Sequence, residues 1–265
     1  KQIPQYKLLN FNMTLNEFKI IFYWEYFHRI LARGIGLFFL IPLIYFYFSN
    51  KIKRQYIIIC YFILSLIILQ GIIGWYMVQS GLVYDVTVSH YRLSIHLSTA
   101  IIIISTLFWL IKNVSAGNNK NFFNFKKENI LYVSFILLIF IQIIMGAFVS
   151  GLDAGKIYQT WPMMGNTYFP NDFFYKDLTS LVRLDNHSLV QFYHRILAYI
   201  IVLYALSIIL IVYKNNLYNL YKPLKFVLFF LFLQIILGIF TLVSGLNIYL
   251  ASMHQITSVI LVISV

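Results

Sequence analysis

Residues 226–246 read FVLFFLFLQIILGIFTLVSGL, without a single charged side chain. A helix needs about 20 mostly apolar residues to cross the hydrocarbon core of a bilayer, and this stretch supplies them. Working outward, six further apolar runs appear, at roughly 25–48, 56–78, 91–111, 130–150 and 188–213, with the last beginning near 252. The whole chain is 61% hydrophobic and 11% charged, against about 45–50% and roughly 25% in soluble domains. So much apolar surface cannot be hidden from water by a chain of this size. A soluble enzyme, a disordered regulator and a secreted disulfide scaffold are excluded, leaving an all-α polytopic membrane protein embedded in a lipid bilayer. Trp24, Tyr26, Trp75, Tyr76 and Tyr193 stand near the ends of the runs, where interfacial aromatics belong. Residues 10–23 are mixed in polarity and are expected to form a surface helix leading into the first span.

The net charge of +12 does not indicate nucleic acid, because the basic residues are dispersed over short loops rather than gathered in a patch. Lys51, Lys53 and Arg54 follow the first run, Lys112, Lys120, Lys126 and Lys127 the third, and Lys214, Lys222 and Lys225 the fifth. The alternate loops are poorer in net positive charge, with Asp85 in one and Asp153, Asp172, Asp177 and Asp185 offsetting three cations in the other. The positive-inside rule places the first group in the cytoplasm or the mitochondrial matrix. Cys60 is the only cysteine, which excludes an internal disulfide, a four-cysteine metal site and a c-type haem attachment. The chain starts at Lys1 and the last run stops at Val265, as expected of a piece of a longer protein whose first membrane helix is missing and whose last is truncated.

Two sequence blocks recur. HRILA occupies residues 28–32 and again 194–198; QGIIGWYMVQSGL at 70–82 and QIILGIFTLVSGL at 234–246 both fit Q-x-I-x-G-x5-S-G-L. A histidine follows each, His96 in SIHLSTA and His254 in SMHQITS. The order indicates a duplicated unit in parallel repeat. The fourth run, ending QIIMGAFVSGLDAG, carries a further Q…G…SGL block and opens the second unit. The expected organisation is therefore two homologous four-helix bundles, with an N-terminal half at 1–129 and a C-terminal half at 130–265.

His28, His96, His194 and His254 all lie near the starts of runs that share one direction, so they sit at similar depth near the outer face. Ionisable residues within spans are costly and usually functional; the plain alternative is interfacial histidines hydrogen-bonded between helices. Two histidines facing across a helical bundle suit bis-imidazole ligation of haem, whereas zinc needs a third or fourth ligand. Arg29 and Arg195 directly follow paired histidines, and Arg92 precedes His96 by one turn. An interfacial arginine suits a haem propionate; snorkelling to lipid headgroups is the alternative. The halves differ at one place. Glu25 stands three residues before His28, on its helical face, where the second half has Gln191 three before His194.

With these residues in place, the chain resembles the haem A synthase family over essentially its whole length. The likeness runs from PQYKLLNFNMTLNEFKIIFYWEYFHR through GWYMVQSGL, VSHYRLSIHLS, GAFVSGLDAGKIYQTWPMM and VQFYHR to MHQ. It lacks the outer-loop cysteine pair of one subtype, which places it nearer the alphaproteobacterial and mitochondrial branch. The resemblance implies eight membrane helices and oxidation of haem O to haem A, the C8 methyl becoming a formyl group, for terminal cytochrome oxidase. It further implies haem b held by His194 and His254, substrate haem held by His28 and His96, and Glu25 as catalytic acid/base. The implied partners are the farnesyltransferase that makes haem O and an electron acceptor of unknown identity; a homo-oligomer is compatible with the reading. The implied location is the bacterial inner or mitochondrial inner membrane, with the histidines toward the outer side. Two other classes use the same features. A di-haem b-type cytochrome moving only electrons would need no Glu25, and a parallel-repeat transporter would carry polar residues near the bilayer midplane.

Overall fold

A computed structural model describes residues 7–8, 10–81, 88–117 and 129–265. The positions of Asp85, Lys120, Lys126 and Lys127, used above to read orientation, lie outside the described residues. The chain divides into two compact units, residues 1–120 and 121–265.

In the first unit, helix α1 (Leu15–Phe48), α2 (Arg54–Gly81) and α3 (His90–Ser115) pack in sequence order, α1 on α2 and α2 on α3. The surface helix expected over 10–23 is not separate; residues from Leu15 onward continue without a break into the first span. No glycine or proline interrupts 15–33, so the polar residues there change the surroundings of the helix and not its path. Its start is fixed by a capping box. The Glu17 N–H donates to Thr14 Oγ1 (3.3 Å) and the Thr14 N–H to Glu17 Oε2 (2.8 Å), satisfying donors that have no partner inside the helix.

The second unit contains α4 (Ile130–Gly151), a short 3-10 turn (Ala154–Lys156), the five-residue α5 (Leu178–Val182), α6 (His187–Lys214), α7 (Tyr218–Val243) and α8 (Ile248–Ser264). Helix α4 packs on α6, α6 on α7, α7 on α8, and α8 returns to α4, which closes a four-helix bundle. Met145 and Phe148 of α4 meet Val190 of α6 in a buried cluster flanked by Ile144, Leu184, Tyr193 and Leu197. Asn186 caps α6 through the Leu189 N–H (2.9 Å), and Asn247 caps α8 through the Tyr249 N–H (3.0 Å). The apolar run expected to reach residue 246 ends its helix at Val243, because Gly245 and Leu246 turn the chain at φ +73° and +63°. Two of the SGL blocks thus lie at helix ends: Gly151 is the last residue of α4, and Gly245 follows the end of α7.

Helices α1, α2, α3, α4, α6 and α7 are long and apolar enough to span a membrane, while α8 is a shorter apolar helix of 17 residues. Large side chains such as Phe38, Phe48, Leu203 and Leu210 are exposed on them, as lipid-facing residues are when a bilayer is the solvent. The architecture is that of an all-α polytopic membrane protein.

Candidate functional site

Each of the four repeated histidines lies in the N-terminal half of its helix: His28 on α1, His96 on α3, His194 on α6 and His254 on α8. In the first unit the His28 and His96 rings lie edge to face, with centroids 6.5 Å apart and planes at 64°. Two metal–nitrogen bonds of about 2 Å, plus the offset of each nitrogen from its ring centre, require roughly 6 Å between centroids. The spacing is therefore that of two imidazoles able to share one iron. In the second unit His194 and His254 are close enough to interact electrostatically. The Nδ1 atoms of His96, His194 and His254 are buried and make no hydrogen bond among the described residues, an arrangement that costs free energy unless a ligand or proton acceptor completes it. Among the described residues no three His, Cys, Asp or Glu side chains gather as a metal-ion site; the histidines come in twos.

Three structural modules hold these rings. Gln70 on α2 donates from Nε2 to the backbone carbonyl of His96 (3.0 Å), Gln142 on α4 to that of His194 (3.0 Å), and Gln234 on α7 to that of His254 (2.8 Å). Four residues after each glutamine stands a glycine, Gly74, Gly146 or Gly238. A Cβ on these glycines would lie 3.0, 3.2 and 3.1 Å from Cε1 of His96, His194 and His254 respectively. The Q-x-x-x-G spacing was visible as part of the repeat, but its partner was not, because the facing register of two helices does not follow from either helix alone.

The arginines and the acid differ between units. Glu25 forms an ion pair with Arg29 one turn on, both side chains nearly half exposed at 46% and 47%. The Arg92 guanidinium lies 5.0 Å from the Tyr76 ring centre, and its buried Nη1 has no hydrogen-bond partner among the described residues. Arg195 instead donates to the backbone of the loop before α5, from Nη2 to Tyr158 O (3.1 Å) and from Nη1 to Met163 O (3.2 Å) and Pro162 O (3.4 Å). Its Nε is buried and unpartnered. Gln191, the counterpart of Glu25, is 3% exposed and donates to the same Tyr158 carbonyl at 2.8 Å.

The profile of the cytochrome oxidase assembly protein family COX15-CtaA matches residues 1–265. A heme A synthase of Pelagibacter ubique is 45% identical across 100% of this chain and 77% of its own length. Heme A synthases of a Wolbachia from Brugia malayi and of Rickettsia bellii are each 39% identical, over 97% and 98% of this chain and 76% and 78% of theirs. The chain belongs to the haem A synthase family.

In this member of the haem A synthase family the loop over the second unit is built more firmly than its sequence suggests. Tyr158 OH donates to Asp172 Oδ1 (2.6 Å) and Ser188 Oγ to Asp172 Oδ2 (2.5 Å), while the Asn171 N–H donates to Tyr158 OH (3.2 Å). Desolvation would raise the Asp172 carboxyl, but the bonds from Ser188 and Tyr158 outweigh it and hold it below its ordinary 3.8. Partial burial, with the Asp172 bond second, pushes the Tyr158 phenol above 10.0. Met164, 1% exposed, anchors the loop tip, and the Thr160 hydroxyl donates to Met163 O and accepts from the Gly165 N–H. Asp153 pairs with Lys156 at 2.9 Å. Of the methionines, Met145 is buried in packing and Met253 is exposed.

Proposed function

We propose that the chain oxidises the C8 methyl of haem O to the formyl of haem A, with the chemistry in the first unit and a resident haem in the second. Haem O as substrate and haem A as product follow from membership of a synthase family. The observation that carries the assignment to residues is the edge-to-face pair His28 and His96, with Glu25 on the His28 face and an amide, Gln191, at the matching place beside His194. His28 and His96 hold the substrate haem between helices. Glu25 takes the proton from a water attacking the methyl carbon, or balances positive charge as it develops there; the role suits a carboxylate oriented by its ion pair with Arg29. Each hydroxylation breaks one C–H bond of the methyl, forms one C–O bond from water, and releases two protons and two electrons; two rounds pass four electrons to the external acceptor and give a gem-diol, whose loss of water leaves the aldehyde.

Haem b fits His194 and His254, two buried imidazoles with unpartnered Nδ1 atoms and glycines against their edges. When bound there it supplies an acceptor for the electrons leaving the substrate. Unpartnered Arg92 Nη1 and Arg195 Nε are the donors best suited to propionates, and Arg29 serves the same end through its place beside His28. Arg195 also ties the covering loop over the second unit, which excludes water from the His194 side. Residues 1–129 and 130–265 act as the two haem-binding halves. The chain resides in a bacterial inner or mitochondrial inner membrane with the histidines toward the outer side, an orientation that the loop charges support. Haem O reaches it from a farnesyltransferase, and an acceptor outside the chain removes the electrons.

Extraction and mass spectrometry of haems from the purified protein, co-expressed with a haem O supply, tests this. Haem A or a hydroxylated haem O beside haem B supports the synthase reading. Haem B alone, with haem O in excess, refutes it in favour of an electron-carrying di-haem cytochrome.

A further inference from the structure

The three glutamine–glycine pairs have no part in the chemistry just described, yet they recur with the same geometry on α2, α4 and α7. A glutamine and the residue four on lie on one helix face, so each pair meets the neighbouring helix at two heights. The amide nitrogen fixes the backbone of the histidine by a bond to its carbonyl at 2.8–3.0 Å. The glycine fixes the ring. Its missing side chain admits the Cε1 edge, and the two ring nitrogens lie almost equally far from the Cβ position, at 3.7 and 3.8 Å for His96, 3.8 and 3.9 Å for His194, and 3.6 and 3.7 Å for His254. The imidazole therefore points its carbon edge at the neighbouring helix and holds one nitrogen to either side. A ring free to rotate would not settle into this pose three times over. Gln234 also donates to the Thr257 hydroxyl, one turn beyond His254, which ties α7 and α8 at a second point.

We propose that Gln70, Gln142 and Gln234, each with its glycine Gly74, Gly146 or Gly238, are positioning residues that set the ring orientation of His96, His194 and His254 toward the iron each ligates. This rests on the reading of those histidines as haem ligands. Groups that orient a ligating histidine tune both affinity and potential, and the mutual angle of two axial imidazoles governs the g anisotropy of low-spin ferric haem. In the second unit both ligands are held this way, from α4 and from α7, so the angle between them is fixed from outside the haem pocket.

The test uses the full-length protein, purified as wild type, Gly238→Ala, Gln234→Met and Gly71→Ala. The readouts are the low-spin EPR spectrum and midpoint potential of its haem b, the haem content after washing, and helix content by circular dichroism. Gly71 lies on α2 with nothing within 4 Å of a Cβ, so Gly71→Ala leaves every readout at the wild-type value. Gly238→Ala shifts the largest g value and the potential, and haem retention falls on the order of 10-fold or more. Gln234→Met keeps the length of the side chain but not its donor; it shifts the same signals and carries the test if Gly238→Ala does not assemble. Wild-type EPR and potential in Gln234→Met overturn the proposal. His254→Ala separates the two failures. If it retains haem b with an unaltered spectrum, the ligand assignment itself falls; if it loses haem b while Gln234→Met stays wild-type, only the positioning role falls.

Discussion

Replacing Arg195 by methionine removes the clamp between α6 and the loop at 157–164, and the size of the effect follows from the bonds it makes. Three N–H···O=C bonds are lost, at 3.1, 3.2 and 3.4 Å. A hydrogen bond from a charged donor contributes about 1.5–3 kcal/mol when short and dry, but these are long, and the Pro162 and Met163 carbonyls belong to exposed residues that water can serve. The Tyr158 carbonyl keeps its bond from Gln191 at 2.8 Å. The three losses are therefore far from additive, and a net cost of about 2–3 kcal/mol is expected, a rise of about 30- to 150-fold in the open population of the loop. Hydrogen exchange measures this at two amides with assigned acceptors, Met164 N–H to Thr167 O (2.7 Å) and Gly165 N–H to Thr160 Oγ1 (2.8 Å). Both should exchange faster by that factor, while amides within α6 keep their protection. Gln191→Met, which removes one bond to the shared carbonyl, should accelerate them about 5-fold, and the double variant should exceed the product of the two effects, because the Tyr158 carbonyl then loses both of its side-chain donors. Unchanged exchange at Met164 and Gly165 in Arg195→Met would refute the clamp.

Glu25→Gln should lower haem A formation by about 10²- to 10⁴-fold, the usual worth of a general base. Its exposed pair with Arg29 is worth no more than about 0.5 kcal/mol, so the melting temperature and haem b content stay put, and full activity would remove Glu25 from the mechanism. The Asp172 carboxyl is held below 3.8 in the folded loop, so its stabilising contribution is fully present above the unfolded value and is lost as pH falls through the lower folded one. Loop protection should be level from pH 8 to about 5 and decline below about 4, and Asp172→Asn should flatten that decline. Tyr158 has the opposite sign. Its raised value means that its contribution holds below 10.0 and is lost as pH rises beyond it, a second decline that Tyr158→Phe should abolish.

The spans and the repeat were legible because both are written in one-dimensional patterns. Uninterrupted apolar runs set the helices, asparagines at 186 and 247 start two of them, and the SGL blocks stop others through residues such as Gly245 at positive φ. The start of α1 was misread because polar residues in 15–24 mark a change of solvent along the helix, and only a proline, a glycine or a competing cap would have broken it. The loop over the second unit was illegible for a different reason. Tyr158, Asp172 and Ser188 are far apart in sequence and meet through the path of the backbone between them. No spacing rule announces that meeting.

The comparison between Glu25 and Gln191 joins the two kinds of information. Sequence alone places both three residues before a repeated histidine, and so on equivalent faces of equivalent helices. In the second unit that place is covered by a loop whose Tyr158 carbonyl needs a donor, and a buried amide provides it. A carboxylate there would set acceptor against acceptor in a dry setting, where an unmet polar group costs about 1–3 kcal/mol. In the first unit the same place carries an ion pair with Arg29 and remains half exposed, so the carboxylate stays open to its surroundings. The repeated position thus carries a structural donor in one unit and an ion-paired carboxylate in the other. The division of labour proposed above rests on that single difference in side-chain chemistry.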